Sequence, residues 1–143
     1  MTVVFVCTGN TCRSPMAEGL MRAELKRRGV SAACVSAGLS AAGEPAADNA
    51  VTVMEEVGCD ITRHRSRSLT RDMTDAADHV VVMTALHRDL LLSAGVDAEK
   101  IVLPAGGVPD PFGGSLDVYR FTRDKLQDIV IALCNDWFGE VTT

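Results

Sequence analysis

Short apolar runs and amphipathic segments alternate along the chain. Four apolar runs predict buried strands, at residues 3–6, 30–35, 79–83 and 101–103. Segments with helical spacing or helix-start signals predict five helices, at residues 15–28, 48–57, 71–77, 85–94 and from 116 toward the C-terminus. Strands that alternate with helices form parallel sheets through right-handed crossovers. We therefore expect an α/β fold, a three-layer sandwich in which a four-stranded parallel sheet has helices on both faces.

Hydroxyl side chains mark the predicted helix starts. Ser14 is the expected N-cap of the first helix, with Pro15 at its first helical position, where the missing N–H costs nothing. Thr70, Thr84 and Ser115 are the expected caps of the last three helices. The basic end of the first helix, at residues 26–28, is expected to be solvated. Apolar spacing predicts the inward faces of the first and last helices: Ala17, Leu20, Met21 and Leu25, and then Tyr119, Leu126, Ile129, Val130, Leu133 and Trp137.

The composition is that of one ordinary globular domain, spanning residues 1–143. Apolar residues make up 47% of the chain, and no apolar run approaches the roughly 20 residues that a membrane span needs. The net charge of −5 argues against non-specific binding to nucleic acid. Met1 leads almost directly into the first strand and leaves no room for a signal peptide. We therefore expect a cytoplasmic protein that contacts neither membrane nor nucleic acid. A monomer is also expected, although nothing in the composition determines the oligomeric state.

Five cysteines are spread over the chain without a C-x-x-C pair: Cys7, Cys12, Cys34, Cys59 and Cys134. In a cytoplasmic enzyme most of them are expected to be reduced, and their spacing does not indicate a metal site. Cys34 and Cys134 are expected in the core. Residues 61–68 are strongly basic and are expected to be a solvated connector, with a structural role for His64 or Ser66 or a substrate-facing patch left open.

Residues 7–13, the Cys7 loop, read Cys-Thr-Gly-Asn-Thr-Cys-Arg and lie between the first strand and the first helix. A tight loop that leads into a helix start points its backbone N–H groups inward, and such a nest binds a tetrahedral anion. Arg13 can hold two oxygens of this anion, and Cys7 lies beneath it in surroundings that favour a thiolate. A thiolate under a phosphoryl group is a nucleophile aimed at phosphorus. The alternative is a buried structural cysteine with a solvated Arg13, and the combination of residue types at this spacing favours the catalytic interpretation.

Residues 7–18 resemble the phosphate-binding loop of the low-molecular-weight protein tyrosine phosphatases. Residues 110–114, Asp-Pro-Phe-Gly-Gly, are similar to the general-acid loop of that family. The resemblance extends over nearly the whole chain in length and motif order, and it implies the fold called phosphotyrosine protein phosphatase I-like. The predicted sheet agrees with it. Ligands bind beyond the carboxyl ends of parallel strands, where the first strand ends at Cys7 and the fourth leads to Asp110.

The resemblance implies a phosphoprotein phosphatase that needs no metal or cofactor. Cys7 would be the nucleophile, Arg13 the phosphate clamp and Asp110 the general acid. Ser14 would donate a hydrogen bond to Cys7 and help its departure from a cysteinyl-phosphate. Phosphorylated proteins would be the substrates and inorganic phosphate the product. The expected phosphate-binding positions are Thr8, Gly9, Asn10, Thr11, Cys12 and Ser14.

Two further roles follow from the same resemblance. Ser36 would hydrogen-bond Asn10 and hold the loop open, or it belongs to a turn made of small residues. Cys12 would form a reversible disulfide with Cys7 that protects the nucleophile from over-oxidation. Peroxide inactivation is then expected to be reversed by a thiol reductant.

Thr11 bears on the choice of substrate. Tyrosine phosphatases of the family usually carry a bulky aliphatic residue at this position, whereas threonine resembles the protein arginine phosphatase branch. Residues 110–115, with Phe112 and two glycines in place of a pair of tyrosines, resemble the same branch. Leu39 and Phe112 are expected to wall the substrate pocket. Phosphoarginine is the expected substrate and phosphotyrosine the alternative, and a neutral Thr11 whose methyl fills part of the aliphatic site is also left open.

Two other functions are considered. Some arsenate reductases on this fold have a similar first loop but use further cysteines near the end of the third strand and in the next helix. Residues 80–94 contain no cysteine, which argues against a reductase. A non-catalytic phosphate-binding module is the third hypothesis. The joint presence of Cys7, Arg13 and Asp110 argues against it, and turnover of an aryl phosphate would exclude it.

Overall fold

The protein folds around one sheet of four parallel strands, and the computed structural model describes residues 1–140. The strands lie in the order β2-β1-β3-β4: β1 (Thr2–Cys7), β2 (Ala33–Gly38), β3 (His79–Val82) and β4 (Ile101–Val102). The helices are α1 (Arg13–Arg28), α2 (Asp48–Glu55), α3 (Arg71–Ala76), α4 (Ala85–Ser93) and α5 (Leu116–Phe138). The predicted fold class is confirmed.

Successive strand residues alternate between two apolar layers. In β1, Val3 and Phe5 pack into the layer formed with α1, α2 and α5. Val4 and Val6 pack into the layer on the other face, with Leu91 of α4. Both faces of the sheet are therefore buried, which is why its strands are apolar runs instead of alternating patterns.

The predicted inward faces of α1 and α5 are confirmed. All four predicted positions of α1 are buried, as are Tyr119, Leu126 and Val130 of α5. The other predicted positions of α5 pack against the core while partly exposed, and Cys34 and Cys134 lie in the core as expected. Within residues 1–140, no helix combines the length and the apolarity needed to cross a membrane.

The second strand was predicted three residues too early. The N–H of Val30 donates to the carbonyl of Leu25 at 2.9 Å, so residues just after α1 belong to its C-terminal turn. The strand instead continues to residue 38, because the small side chains of Ser36 and Ala37 are completely buried opposite β1. All other predicted ends lie within two residues of the observed ones.

Three predicted helix caps are confirmed and one is wrong. Thr70, Thr84 and Ser115 each accept a hydrogen bond from an N–H three residues later. At the start of α1, however, the N-cap is Cys12, and no side chain of the described residues caps this helix. Pro15 is then the third helical residue, which it tolerates because the first four N–H groups of a helix have no partner within it.

The basic end of α1 is partly buried rather than fully solvated. Arg28 is 5% exposed at its side chain, and its Nε donates to the Glu24 carboxylate at 2.8 Å. Its Nη2 donates to Asn135 Oδ1 at 2.7 Å, which ties α1 to the end of α5. Hydrogen bonds from Arg27 and then from Arg28 hold the pKa of Glu24 below its ordinary value.

Candidate active site

Cys7, Arg13 and Asp110 line one cavity of about 260 Å³ at the carboxyl edge of the sheet. Cys7 is the last residue of β1 and Arg13 is the first of α1, whereas Asp110 follows β4. Phe112 also lines the cavity, as predicted. The loop contributes six of its predicted residues to the lining: Cys7, Thr8, Gly9, Thr11, Cys12 and Arg13.

The Arg13 guanidinium is buried and only partly paired. Its Nη1 donates to the Val108 carbonyl at 2.9 Å, and its Nη2 lies 3.7 Å from Asp110 Oδ2. Its Nε is buried and has no hydrogen-bond partner among residues 1–140. A buried donor without a partner costs free energy, and an anion would remove that cost. The uncapped start of α1 adds backbone N–H groups, so the cavity is suited to a tetrahedral anion.

Asn10 lies behind the loop and not in the cavity. Its backbone φ is +56°, in the left-handed region that asparagine tolerates better than most residues, and its side chain is completely buried. The Arg67 N–H donates to Asn10 Oδ1 at 3.0 Å, which fixes the orientation of the amide because a backbone N–H cannot accept. The Nδ2 group therefore donates to Ser14 Oγ at 2.8 Å and to Ser36 Oγ at 3.0 Å. The expected bond to Ser36 is confirmed, and the Asn10 side chain supports the loop instead of facing a phosphate.

The same geometry sets the direction of the bond between Ser14 and Cys7. Ser14 Oγ lies 2.9 Å from Cys7 Sγ. Because Ser14 Oγ accepts from Asn10, its own proton is available for the sulfur. Ser14 is therefore not the predicted helix cap, and its side chain contacts the Cys7 sulfur, as the resemblance also implied.

The basic segment after α2 holds the loop from behind. His64 Nε2 donates to the Asn10 carbonyl at 2.7 Å. Ser66 Oγ accepts from the Glu44 N–H at 2.8 Å, and the Gly38 N–H donates to the carbonyl of Arg67 at 2.8 Å. Of the three roles left open for this segment, the structural one is observed for His64 and Ser66.

Cys12 lies beside the start of α5. Its Sγ is 3.3 Å from the Tyr119 hydroxyl. Burial raises the pKa of the Cys12 thiol, which therefore stays protonated at neutral pH. Within residues 1–140 all five cysteines are free thiols, and the disulfide between Cys12 and Cys7 stays a prediction.

The prediction that Leu39 walls the substrate pocket is wrong. Its side chain packs into the apolar layer beside α3 and α4 and lines a separate cavity there. Its N–H donates to the Cys7 carbonyl at 3.1 Å, so Leu39 supports the loop through its backbone. Ser40 and Glu44 line the Cys7 cavity in its place. Sequence reasoning missed them because contacts distant in sequence set the path of this segment over the cavity.

His87 also contacts the loop, although the sequence analysis did not single it out. It is buried in the first turn of α4, and its Nε2 lies 2.9 Å from Thr8 Oγ1. The available signal was its position three residues after the Thr84 cap, at the carboxyl edge of the sheet.

Comparisons with known proteins show the family of this chain. A family model described as low molecular weight phosphotyrosine protein phosphatase matches residues 2–142. The chain is 38% identical over 139 residues to a protein-arginine-phosphatase of Bacillus subtilis, with 91% of this chain and 92% of that protein covered. It is 43% identical over 132 residues to a probable low molecular weight protein-tyrosine-phosphatase, EpsP, of Ralstonia nicotianae, with 88% of each covered.

A solved structure adds information about the chemistry of this group. It is a cysteine-to-serine mutant of the arginine phosphatase YwlE whose active-site serine is phosphorylated. It superposes on this chain with a TM-score of 0.90 at 36% identity, and 95% of each chain is covered. This structural similarity, the family match over residues 2–142 and the cavity lined by both motifs all support the same family assignment. The chain is a phosphatase and belongs to the low molecular weight phosphotyrosine protein phosphatase family.

Proposed function

We propose that this phosphatase hydrolyses phosphoarginine in proteins through a cysteinyl-phosphate intermediate on Cys7. The observation that carries the proposal is the set of hydroxyl and carboxylate side chains that line the same cavity as Cys7. Three hydroxyl side chains and two carboxylates line it: Thr8, Thr11, Ser40, Glu44 and Asp110.

This lining suits a guanidinium group. The planar guanidinium of an arginine side chain carries several N–H donors and no acceptor, so a pocket that binds it must supply oxygen acceptors. The carboxylates of Glu44 and Asp110 and the hydroxyl of Thr11 are such acceptors. A phenyl ring would leave these polar groups unpaired, and a pocket for it would need a larger apolar wall.

The first proposed step transfers the phosphoryl group to the enzyme. The Cys7 thiolate attacks phosphorus while Arg13 and the backbone N–H groups of the Cys7 loop hold the phosphoryl oxygens. The S–P bond forms, the P–N bond breaks, and Asp110 gives its proton to the departing nitrogen. The position of Asp110 Oδ2, 3.7 Å from Arg13 Nη2, supports this role because it places the acid beside the phosphate clamp.

The second proposed step releases phosphate. The Asp110 carboxylate takes a proton from water, the water oxygen bonds to phosphorus, and the S–P bond breaks. Ser14 keeps its proton and donates a hydrogen bond to the departing sulfur, as its 2.9 Å contact allows. The products are inorganic phosphate and the starting thiolate, so no external reductant or oxidant is needed.

Phosphotyrosine is the second candidate substrate. It is favoured by Phe112, which lines the cavity with 75% of its surface exposed and could stack on an aromatic ring. The relative named as a probable tyrosine phosphatase is also similar to this chain at 43% identity.

A comparison of two matched peptides separates the candidates. We expect kcat/KM to be at least about tenfold higher for a phosphoarginine peptide than for a phosphotyrosine peptide of the same sequence, because unpaired polar groups disfavour the ring. Thr11→Ile should move this ratio toward phosphotyrosine by about tenfold or more. Glu44→Gln should lower activity on phosphoarginine more than activity on phosphotyrosine.

Thr52→Ile is the matched control, since Thr52 is exposed on α2. It should leave both rates unchanged. A wild-type preference for phosphotyrosine, together with a ratio that does not respond to Thr11→Ile, would overturn the phosphoarginine assignment.

We propose that the enzyme acts as a cytoplasmic monomer on phosphorylated proteins and releases inorganic phosphate. The five free thiols support a reducing compartment. The net charge of −5 supports a protein that does not bind nucleic acid or anionic membranes. Light scattering of the purified protein and fractionation of cells would test these assignments.

A further inference from the structure

His87 is a buried histidine that the proposed mechanism does not use. Its side chain is 3% exposed, and its backbone N–H is held by the Thr84 cap at 3.2 Å. Its Nε2 lies 2.9 Å from Thr8 Oγ1, across 79 positions of sequence. Thr8 directly follows the proposed nucleophile and lines the catalytic cavity. One side of the Cys7 loop is therefore held by a histidine on α4.

The surroundings of the second ring nitrogen, Nδ1, indicate which nitrogen of the His87 imidazole carries the proton. His87 Nδ1 is buried and has no hydrogen-bond partner among residues 1–140. A proton on Nε2 finds Thr8 Oγ1 at 2.9 Å as its acceptor, whereas a proton on Nδ1 would be a buried donor without a partner, so Nδ1 is taken as bare. Burial and then the positive charge of Arg13 lower the pKa of His87, against a smaller opposite effect of Asp110, so the ring is neutral at pH 7. A neutral ring with a bare Nδ1 carries its proton on Nε2.

This tautomer determines what the Thr8 hydroxyl can do. When Nε2–H donates to Thr8 Oγ1, the Thr8 hydroxyl accepts from His87 and cannot also donate its own proton to that nitrogen. Thr8 is exposed on the cavity, so its proton is available to a bound group there. The arrangement parallels that behind Cys7, where Asn10 donates to Ser14 and leaves the Ser14 proton for the sulfur.

We propose that His87 is a positioning residue that turns the Thr8 hydroxyl into a hydrogen-bond donor for the phosphoryl group bound beside Cys7. The proposal rests on the phosphate site of the proposed function and adds one donor to it. It does not depend on whether the phosphoryl group comes from arginine or tyrosine.

The test uses inorganic phosphate as a competitive inhibitor of aryl phosphate hydrolysis. Thr8→Val removes the hydroxyl at nearly constant shape, and His87→Leu removes the donor that orients it. Each should raise the Ki of phosphate and lower kcat/KM by about tenfold, since a hydrogen bond to a charged group has at least that effect. The double variant should be no worse than either single one. His87→Gln keeps an N–H donor of similar reach and should restore both constants to within about threefold of the wild type.

Arg88→Gln, the next residue on α4 and paired at the surface with Asp89, is the control and should leave both constants unchanged. Unchanged Ki and kcat/KM in Thr8→Val, or additive losses in the double variant, would overturn the proposal. Thr8→Val keeps the test decisive if His87→Leu does not fold. A wild-type protein that neither hydrolyses the aryl phosphate nor binds phosphate would instead contradict the proposed function.

Discussion

One buried amide, that of Asn10, determines how the loop holds the side chain of Ser14 beside Cys7. Its oxygen is held by the Arg67 N–H, so both protons of its nitrogen go to the hydroxyls of Ser14 and Ser36. The Ser14 proton is then left for Cys7. A chain of three hydrogen bonds thus connects the backbone after α2 to the sulfur of Cys7, the proposed nucleophile.

At the scale of single residues, Ser14→Ala should lower kcat about 10- to 100-fold with little change in KM. A hydrogen bond to a charged group contributes roughly 1.5–3 kcal/mol, and this one acts on the charged sulfur during departure. Steady-state kinetics with an aryl phosphate measures the effect. Ser93→Ala, at the exposed end of α4, is the matched control. A normal kcat in Ser14→Ala would show that the sulfur does not need this donor.

Cys12 should protect Cys7 from lasting oxidation. A sulfenic acid formed on Cys7 can condense with a nearby thiol to a disulfide, which a reductant reverses. We expect mild peroxide to inactivate the wild type reversibly and Cys12→Ser irreversibly, as measured by activity before and after a thiol reductant. Cys59→Ser, whose sulfur lies near the carbonyl of Gly19 instead of the cavity, should behave as the wild type. Equal recovery of all three proteins would refute the protective role.

At the scale of elements, the end of β2 packs directly under the loop. A Cβ built on Gly38 would lie 2.7 Å from the Thr8 carbonyl oxygen and 3.0 Å from Asn10 Cβ. Because one of these neighbours is backbone, the loop must move. Gly38→Ala should lower kcat/KM at least about tenfold and the free energy of unfolding by about 1–3 kcal/mol.

Gly58→Ala separates crowding from backbone strain in this experiment. Gly58 has a φ of +76°, and no described atom lies within 4 Å of the Cβ it would gain. Gly58→Ala should lower the free energy of unfolding by about 1–2 kcal/mol, because alanine disfavours this left-handed backbone, and should leave kcat/KM unchanged. Normal kinetics in Gly38→Ala would mean that β2 does not position the loop.

The stability that the contact between α1 and α5 contributes should depend on pH, because it involves the Glu24 carboxylate. Because its folded-state pKa is below the ordinary value, Glu24 stabilises the fold above its unfolded pKa, and this contribution is lost as the pH falls through the folded value. Glu24→Gln should reduce the free energy of unfolding by about 3 kcal/mol at pH 7, because it leaves Arg28 without its carboxylate. The difference in the free energy of unfolding between the two proteins should shrink progressively below about pH 4.

Urea unfolding of both proteins across this pH range measures the difference. Glu55→Gln, on the exposed side of α2, serves as the control and should change little. A deficit that is constant from pH 7 to pH 3 would show that the ionised carboxylate is not what joins the two helices.

Local signals were sufficient to predict the elements and the three central residues of the site. Cys7 and Arg13 bracket a strand-to-helix loop, and Asp110 follows a strand, so the carboxyl edge of a parallel sheet had to bring them near each other. The positions of the Asn10 and Leu39 side chains could not be predicted in this way. Asn10 is oriented by residues 26 and 57 positions away, and such contacts exist only in the folded chain.

At the scale of the whole molecule, the protein is acidic and yet forms a cavity suited to an anion. The chain carries a net charge of −5, whereas the cavity combines the buried Arg13 with backbone N–H groups at the start of α1. At short range these fixed donors outweigh the distant, screened charges. Glu44 and Asp110 line the same cavity and would pair with a cationic leaving group.

Trapping the covalent intermediate tests the central claim most directly, namely that Cys7 receives the phosphoryl group. Asp110→Asn with an aryl phosphate should form the intermediate, since an aryl group leaves readily, and hydrolyse it slowly. After acid quenching, peptide mass spectrometry should find one phosphoryl group on the peptide that contains Cys7. Cys7→Ala should lose both the adduct and turnover. A phosphoryl group on another residue, or turnover that persists in Cys7→Ala, would contradict the account.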